Sequence, residues 1–173
     1  WKRPKSEVNA LMKLLVRSVK NEIEDINKNN IRMRIIGSLD QLSKGVKSEL
    51  VNASNLTFRN DGLNLNLAIS YGSKTEIINA LKQITEKVKK NIISIENIDE
   101  KLINEHLYTK ISKDVDLLIR TGGEFRLSNF LLWQNSYAEL LFYDMLWPDF
   151  RKKDFYDSIL TFQKRNRRFG KTN

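Results

Sequence analysis

Apolar residues recur at helical spacing from the start of the chain. Val8, Leu11, Met12, Leu15, Val19, Ile23 and Ile26 follow one another by one, three or four positions, which predicts an amphipathic helix. Pro4 stands where a first helical turn tolerates it. Asn27 to Asn30 breaks the pattern, and residues 31–39 (IRMRIIGSL) then alternate as a strand does. Residues 40–59 are polar and moderately helical, and Asn60-Asp61-Gly62 is a turn signal. Residues 63–71 (LNLNLAISY) make the clearest strand, apolar at every second position early on. A helix is predicted over residues 74–90 and a short helix or turn within 97–110. Residues 116–120 (DLLIR) read as a buried strand, 130–134 as a short helix and 139–143 (ELLFY) as another strand. Pro148 ends that unit. A last helix is expected over 154–168, with Phe155, Ile159 and Phe162 on one face.

Strands alternating with helices at these spacings imply right-handed crossovers. The fold class expected is therefore α/β, with a central, mostly parallel sheet flanked by helices in a single domain. The 173 residues suit one domain, or one domain lacking a piece. No internal repeat, linker or low-complexity segment interrupts them. The chain opens Trp1-Lys2-Arg3-Pro4 and enters a helix almost at once, so upstream sequence is expected.

Composition narrows the chemistry. No apolar run exceeds four residues, so no segment has the length of a membrane span, and no cleavable signal pattern is visible. The absence of cysteine removes disulfides, thiolate metal sites and a cysteine nucleophile. A single histidine, His106, lies in a polar helical stretch and reads as a surface residue, which leaves no basis for a Ser-His-Asp triad or a histidine-based metal site. The net charge is +9, and residues 151–173 hold eight basic against two acidic side chains. Such a tail suits nucleic acid, anionic lipid or a phosphorylated ligand, or is simply a solvated helix. A nucleic-acid module is disfavoured by the lack of interleaved aromatic and basic residues. A dinucleotide-binding fold is disfavoured by the lack of a G-x-G-x-x-G after a first strand.

Ligands in parallel sheets bind beyond the carboxyl ends of the strands. After residues 63–70 come Tyr71-Gly72-Ser73-Lys74. After residues 116–119 come Arg120-Thr121-Gly122-Gly123-Glu124-Phe125-Arg126-Leu127-Ser128-Asn129. Two glycines allow a sharp turn or a close approach of backbone to ligand. Arginines six apart, one at the strand end and one beyond the loop, can converge on phosphate oxygens. Ser128 and the free N–H groups of the short helix expected after it would add to such a cradle, or Ser128 merely caps that helix. Glu139, at the start of an apolar segment, is read either as a salt-bridge partner for nearby arginines or as a magnesium ligand.

These residues carry a resemblance. The block DLLIRTGGEFRLSNFLLWQNSYAELLFYDMLWPDF, the opening WKRPKSEVNALMKLL, the stretch LNLNLAISYGSKTEI and the closing RRFG resemble, in order and over essentially the whole chain, the cis-prenyltransferase family, most closely its bacterial, undecaprenyl-forming members. The resemblance implies an enzyme that adds isopentenyl diphosphate units, each with a new cis double bond, to farnesyl diphosphate, with magnesium assisting departure of the allylic diphosphate. The product would be a long lipid carrier. It implies that Arg120, Arg126, Leu127 and Ser128 bind the isopentenyl diphosphate group and that Glu139 is a magnesium-linked carboxylate. It also implies that Trp1 and Arg3 lie near the substrate diphosphates, and that Arg168 and Gly170 form an Arg-x-Gly pair reaching a diphosphate site across a homodimer interface. Leu11, Leu14, Leu15, Val19 and residues 63–69 are candidates for an apolar tunnel or, more simply, for core. A cytoplasmic enzyme with peripheral membrane contact through the basic C-terminal helix is the expectation.

Two departures stand out. The family's Met-Asp-Gly-Asn-Gly-Arg phosphate loop, its first strand and the Ser-Glu-Asn triplet are absent from these residues, so the expected catalytic Asp and Asn would lie upstream of Trp1. The chain as it stands is thus expected to be inactive alone. A non-catalytic partner subunit of a cis-prenyltransferase complex is the alternative. The second departure is Phe125, where some relatives carry histidine; phenylalanine binds neither phosphate nor metal, so the position is expected to be dispensable.

Overall fold

Pro4, with φ −53° and ψ 137°, cannot donate a backbone hydrogen bond and so precedes helix α1 (Lys5–Lys28) rather than interrupting it. Asn30 enters the left-handed region at φ 56° and ends the helical path. Strand β1 (Arg32–Ile36) follows, then α2 (Lys44–Leu56), β2 (Asn64–Ala68), α3 (Ser73–Lys89), a short α4 (Glu100–Asn104), β3 (Leu117–Thr121), β4 (Glu139–Tyr143) and α5 (Lys152–Gln163). The computed structural model describes residues 4–112 and 114–169. Trp1, Arg3 and Gly170, expected near substrate, lie outside them.

The α/β class and the parallel pairing hold. The strands form two pairs, β1 with β2 and β3 with β4. Both are parallel, Arg32 facing Asn64 in the first and Leu117 facing Glu139 in the second. The chain divides into two compact units, residues 1–112 and 113–173, which are taken in turn.

In the first unit, Val19 from α1, Met33 from β1, Leu50 and Ala53 from α2, and Leu42 and Ile69 from the connecting segments form the core, flanked by Met12, Leu15, Ile23 and Ile26. The helical stripe on α1 is therefore core at Leu15 and Val19, whereas Leu11 and Leu14 are exposed at 45% and 60%. The buried Thr57 at the end of α2 accepts the Met33 N–H at 3.0 Å, and its hydroxyl lies 3.2 Å from the Ala53 carbonyl. This satisfies a donor facing the helix instead of the neighbouring strand.

His106 is not a surface residue. It is 9% exposed, with Nδ1 2.7 Å from the Leu102 carbonyl and Nε2 2.7 Å from Lys87 Nζ. A carbonyl can only accept, so Nδ1 carries the proton and Nε2 accepts from the lysine. The polar stretch around it concealed a helix end folded back on α3.

In the second unit the last helix stops at Gln163, short of the expected Arg168. The segment 130–134 forms turns, not a helix. Ser128, Asn129 and Leu131 have φ of 49°, 62° and 47°, and left-handed residues so closely spaced cannot lie in a right-handed helix. Tyr143 of β4 donates to the Ser158 hydroxyl (2.9 Å), which donates in turn to the Asp154 carbonyl (2.7 Å), tying the strand to α5.

Gly37, just after β1, has φ +116°, and a Cβ there would stand 2.2 Å from the Ile69 carbonyl oxygen and 3.2 Å from Tyr71 Cα. Both neighbours are backbone, so neither yields without disturbing the β1–β2 pair. Gly37→Ala is expected to lower stability by about 1–3 kcal/mol or more, measured as a fall in urea midpoint at unchanged slope. An unchanged midpoint would refute the close approach.

Candidate functional site

The β3–β4 pair has two ends, and each gathers charge. At the carboxyl end, Gly122 (φ 94°) and Gly123 (φ 69°) turn the chain immediately after Thr121. Their N–H groups donate to the carbonyls of Met145 (2.8 Å) and Tyr143 (3.0 Å). The two glycines thus serve the sharp turn, and their N–H groups prolong the pairing with β4.

Beyond the turn the chain folds back over the strand end. Arg120 Nη1 donates to the backbone carbonyl of Arg126 and, at 3.1 Å, to the Ser128 hydroxyl. Arg126 Nη1 is ion-paired with Glu124. The structure therefore brings together Arg120, Arg126 and Ser128, as the sequence suggested, with Leu127 between them half-buried and its carbonyl accepting the Phe130 N–H at 3.0 Å. It does not supply a helix N-terminus after Ser128. Any anion held here is held by guanidinium and hydroxyl groups, the planar fork of arginine being suited to two oxygens at once. Phe125 points its ring at Phe142 (centroids 5.3 Å) and is 73% exposed.

Glu139 is at the other end. Its register partner is Leu117, whereas that of Arg120 is Phe142. Three residue steps, about 10 Å along the strand, separate the two positions. Glu139 carries an ion pair to Arg165 at 2.6 Å. Asp116 beside it pairs with Arg167, whose Nη2 also reaches the Tyr137 carbonyl at 3.4 Å. Arg168 is exposed and follows these two anchored arginines.

Sequence reasoning missed Glu124, Asp116, Arg165 and Arg167. Their signal was weak, because each is an ordinary surface charge until its partner is known. It also missed a buried carboxylate in the first unit. Glu76, with no exposed surface, accepts the Tyr71 hydroxyl at 2.5 Å and the Tyr108 N–H at 2.7 Å, just after the carboxyl end of β2.

The comparisons with known proteins agree with one another. The prenyltransferase family model described as undecaprenyl diphosphate synthase matches residues 1–170. The chain belongs to the cis-prenyltransferase family. It is 47% identical over 172 residues to ditrans,polycis-undecaprenyl-diphosphate synthase ((2E,6E)-farnesyl-diphosphate specific) of Haemophilus influenzae, covering 99% of this chain and 72% of that one. Among solved structures, lavandulyl diphosphate synthase of Lavandula x intermedia, in complex with dimethylallyl diphosphate, superposes with a TM-score of 0.95 at 34% identity, over 98% of this chain and 74% of that one. A probable undecaprenyl diphosphate synthase of Campylobacter jejuni gives 0.86 at 40% identity, over 99% and 78%. This cis-prenyltransferase chain thus spans about three quarters of each.

Arg120 holds the loop to the strand through two acceptors, a carbonyl and a hydroxyl. An ammonium on a flexible stem lacks the fixed fork that reaches both. In Arg120→Lys, amide hydrogens of residues 122–129 should exchange several-fold faster while those of β4 keep their protection. Equal protection in both variants would show that the loop is held by other means.

Proposed function

We propose that the chain is the greater part of a single catalytic domain that condenses isopentenyl diphosphate onto farnesyl diphosphate to build a long-chain polyprenyl diphosphate. The observation that carries this reading is the gathering of Arg120, Arg126 and Ser128 at the carboxyl end of β3, in a chain whose family relatives are named for that product. The dimethylallyl diphosphate bound by the lavandulyl enzyme is a ligand of the same chemical class. Condensation breaks the allylic carbon–oxygen bond, joins the allylic carbon to the isopentenyl double bond, and releases a proton and diphosphate.

In this reading Arg120 and Ser128 stand ready, and Arg126 exchanges Glu124 for substrate oxygens. The exchange replaces one charge-assisted contact by another, so binding costs little desolvation of the guanidinium. Leu11 and Leu14, exposed on α1, are apolar surface for a growing chain. Trp1, Arg3 and Gly170 keep the substrate roles the resemblance implies.

Magnesium, when bound, would assist departure of the allylic diphosphate. Among the described residues no group of three or more His, Cys, Asp or Glu side chains could hold a metal ion, and Glu139 is engaged by Arg165. Magnesium is commonly held by one or two carboxylates together with substrate oxygens, so Glu139 would contribute to such a site beside the aspartate expected upstream.

A homodimer fits the same reading. Arg165 and Arg167 are fixed at the amino end of the β3–β4 pair, opposite the loop of Arg120, so Arg168 is suited to serve the site of a second copy. Among the described residues no helix is long and apolar enough to cross a membrane. A cytoplasmic protein touching the membrane through basic residues of α5, such as Lys152, whose Nζ lies 5.6 Å from the Tyr156 ring centroid, is the matching proposal.

The test uses the chain with its upstream sequence, incubated with farnesyl diphosphate, labelled isopentenyl diphosphate and magnesium, the products being sized by chromatography. A long polyprenyl product that disappears with EDTA is expected. Arg126→Ala should lower kcat/KM about 10- to 100-fold, the equivalent of roughly 1.5–3 kcal/mol for a hydrogen bond to a charged group, and Glu124→Gln should lower the KM for isopentenyl diphosphate. The 173-residue chain by itself should give no product. A folded full-length protein that makes none would support the non-catalytic partner reading.

A further inference from the structure

Helix α1 carries apolar side chains on more than its core stripe. Leu11 and Leu14 are exposed on one side, whereas Met12 and Val16 turn toward α2 and border a groove. The groove has a cavity of about 520 Å³ between α1 and the start of α2, within the size range of small-molecule sites. It runs on into a second cavity of about 220 Å³, sharing Lys13, Ser43 and Val46 with it. From Val8 to Asn21 the lining follows α1 for about 20 Å, at a rise of about 1.5 Å per residue. The floor is apolar, made by Val8, Met12 and Val16 of α1, Leu42 before α2 and Val46 within it. The charges gather at one end. Lys13, Arg17 and Lys20 line it at the spacing of a single helix face, and beyond Lys13 the end near Val8 has no charged side chain on its lining. Glu49 is the one carboxylate lining the groove, and Lys20 takes it at 2.8 Å. Lys13 and Arg17 are left with no carboxylate on the lining to offset them.

We propose that the α1–α2 groove binds a single-chain amphiphile with a phosphate head, its tail along Val8, Met12, Val16 and Val46 and its head at Lys13 and Arg17. Charge decides the head. A phosphate monoester carries about −1.5 to −2 at neutral pH, which matches the two cations that Glu49 does not offset. The Arg17 fork suits two phosphate oxygens, and Lys13 adds a point charge beside it. The uneven lining decides the tail. An acidic peptide would need cations along the whole groove, and a bilayer surface would meet the outer face of a helix, not a cavity recessed between two. Each methylene withdrawn from water onto the apolar floor adds to affinity. The site belongs to the first unit alone and does not depend on the proposed activity.

The decisive experiment is a calorimetric titration of dodecyl phosphate, kept below its micelle concentration, into the chain with its upstream sequence. Saturating farnesyl diphosphate is present throughout, so that a substrate site is already filled. One molecule should bind per chain, and amide exchange of residues 8–21 and 43–49 should slow. Arg17→Glu should weaken binding about tenfold or more, and the milder Lys13→Gln should weaken it several-fold, with circular dichroism confirming that both fold. Lys28→Glu makes the same kind of charge change on α1 away from the groove and should leave binding unchanged. Dodecanol tests the tail without the head, and inorganic phosphate the head without the tail; each should bind far more weakly than the whole probe. Either of them binding as tightly as dodecyl phosphate would overturn the proposal. So would no binding in the presence of farnesyl diphosphate, or binding that Arg17→Glu and Lys13→Gln leave intact. A parent protein that binds the probe in this way yet makes no polyprenyl product would support the groove and count against the proposed activity alone.

Discussion

The parallel pairing of β3 with β4 organises the second unit. A parallel pair brings both amino ends to one side and both carboxyl ends to the other, and the connection between its strands must travel the full length of the pair to return. That connection, residues 122–138, is the loop that carries Arg126, Leu127 and Ser128. The same pairing that places this loop beyond Thr121 places Asp116 and Glu139 at the far edge. Two charged groupings result, Arg120 and Arg126 with Glu124 over one end and Glu139 and Asp116 with Arg165 and Arg167 at the other, separated by the length of five-residue strands.

Three arginines of the second unit have a carboxylate that offsets their charge. Glu124 does so for Arg126, and Glu139 and Asp116 do so for Arg165 and Arg167. The two cases differ physically. Glu124 and Arg126 are two residues apart on one loop, so their pairing needs no distant element and exchanges easily. The other two pairs span 26 and 51 residues and tie the end of the chain to a sheet edge, which makes them structural ties. Counter-ion choice thus separates an arginine available to ligand from arginines committed to the fold.

The first unit solves a related problem with a neutral surround. Glu76 is buried and would be costly without donors, and Tyr71 and Tyr108 provide them. Tyr71 comes directly after β2, Glu76 from the first turn of α3, and Tyr108 from beyond α4. The carboxylate therefore connects three parts of the chain near a strand end, the place where parallel sheets put their ligands.

Local pattern determined much of this protein. The period of apolar residues set α1, α3 and all four strands within a few residues of their limits, because side chains in these elements alternate between core and solvent in a way that the bare order of residues records. Arg120, Arg126 and Ser128 were legible as a group because they sit close in sequence at a strand end. What the tertiary structure alone decided was conformation and partnership at a distance. Residues 130–134 are apolar enough for a helix, but the left-handed Ser128, Asn129 and Leu131 are set by the path back to β4, which no local propensity encodes. Residues 164–168 contain nothing that breaks a helix, yet α5 ends before them, where Arg165 and Arg167 meet carboxylates across the sheet edge. His106 looked like a surface polar residue because burial depends on what folds over it. Sequence specifies an element through its neighbours in the chain; a charge finds its partner only after the chain has folded.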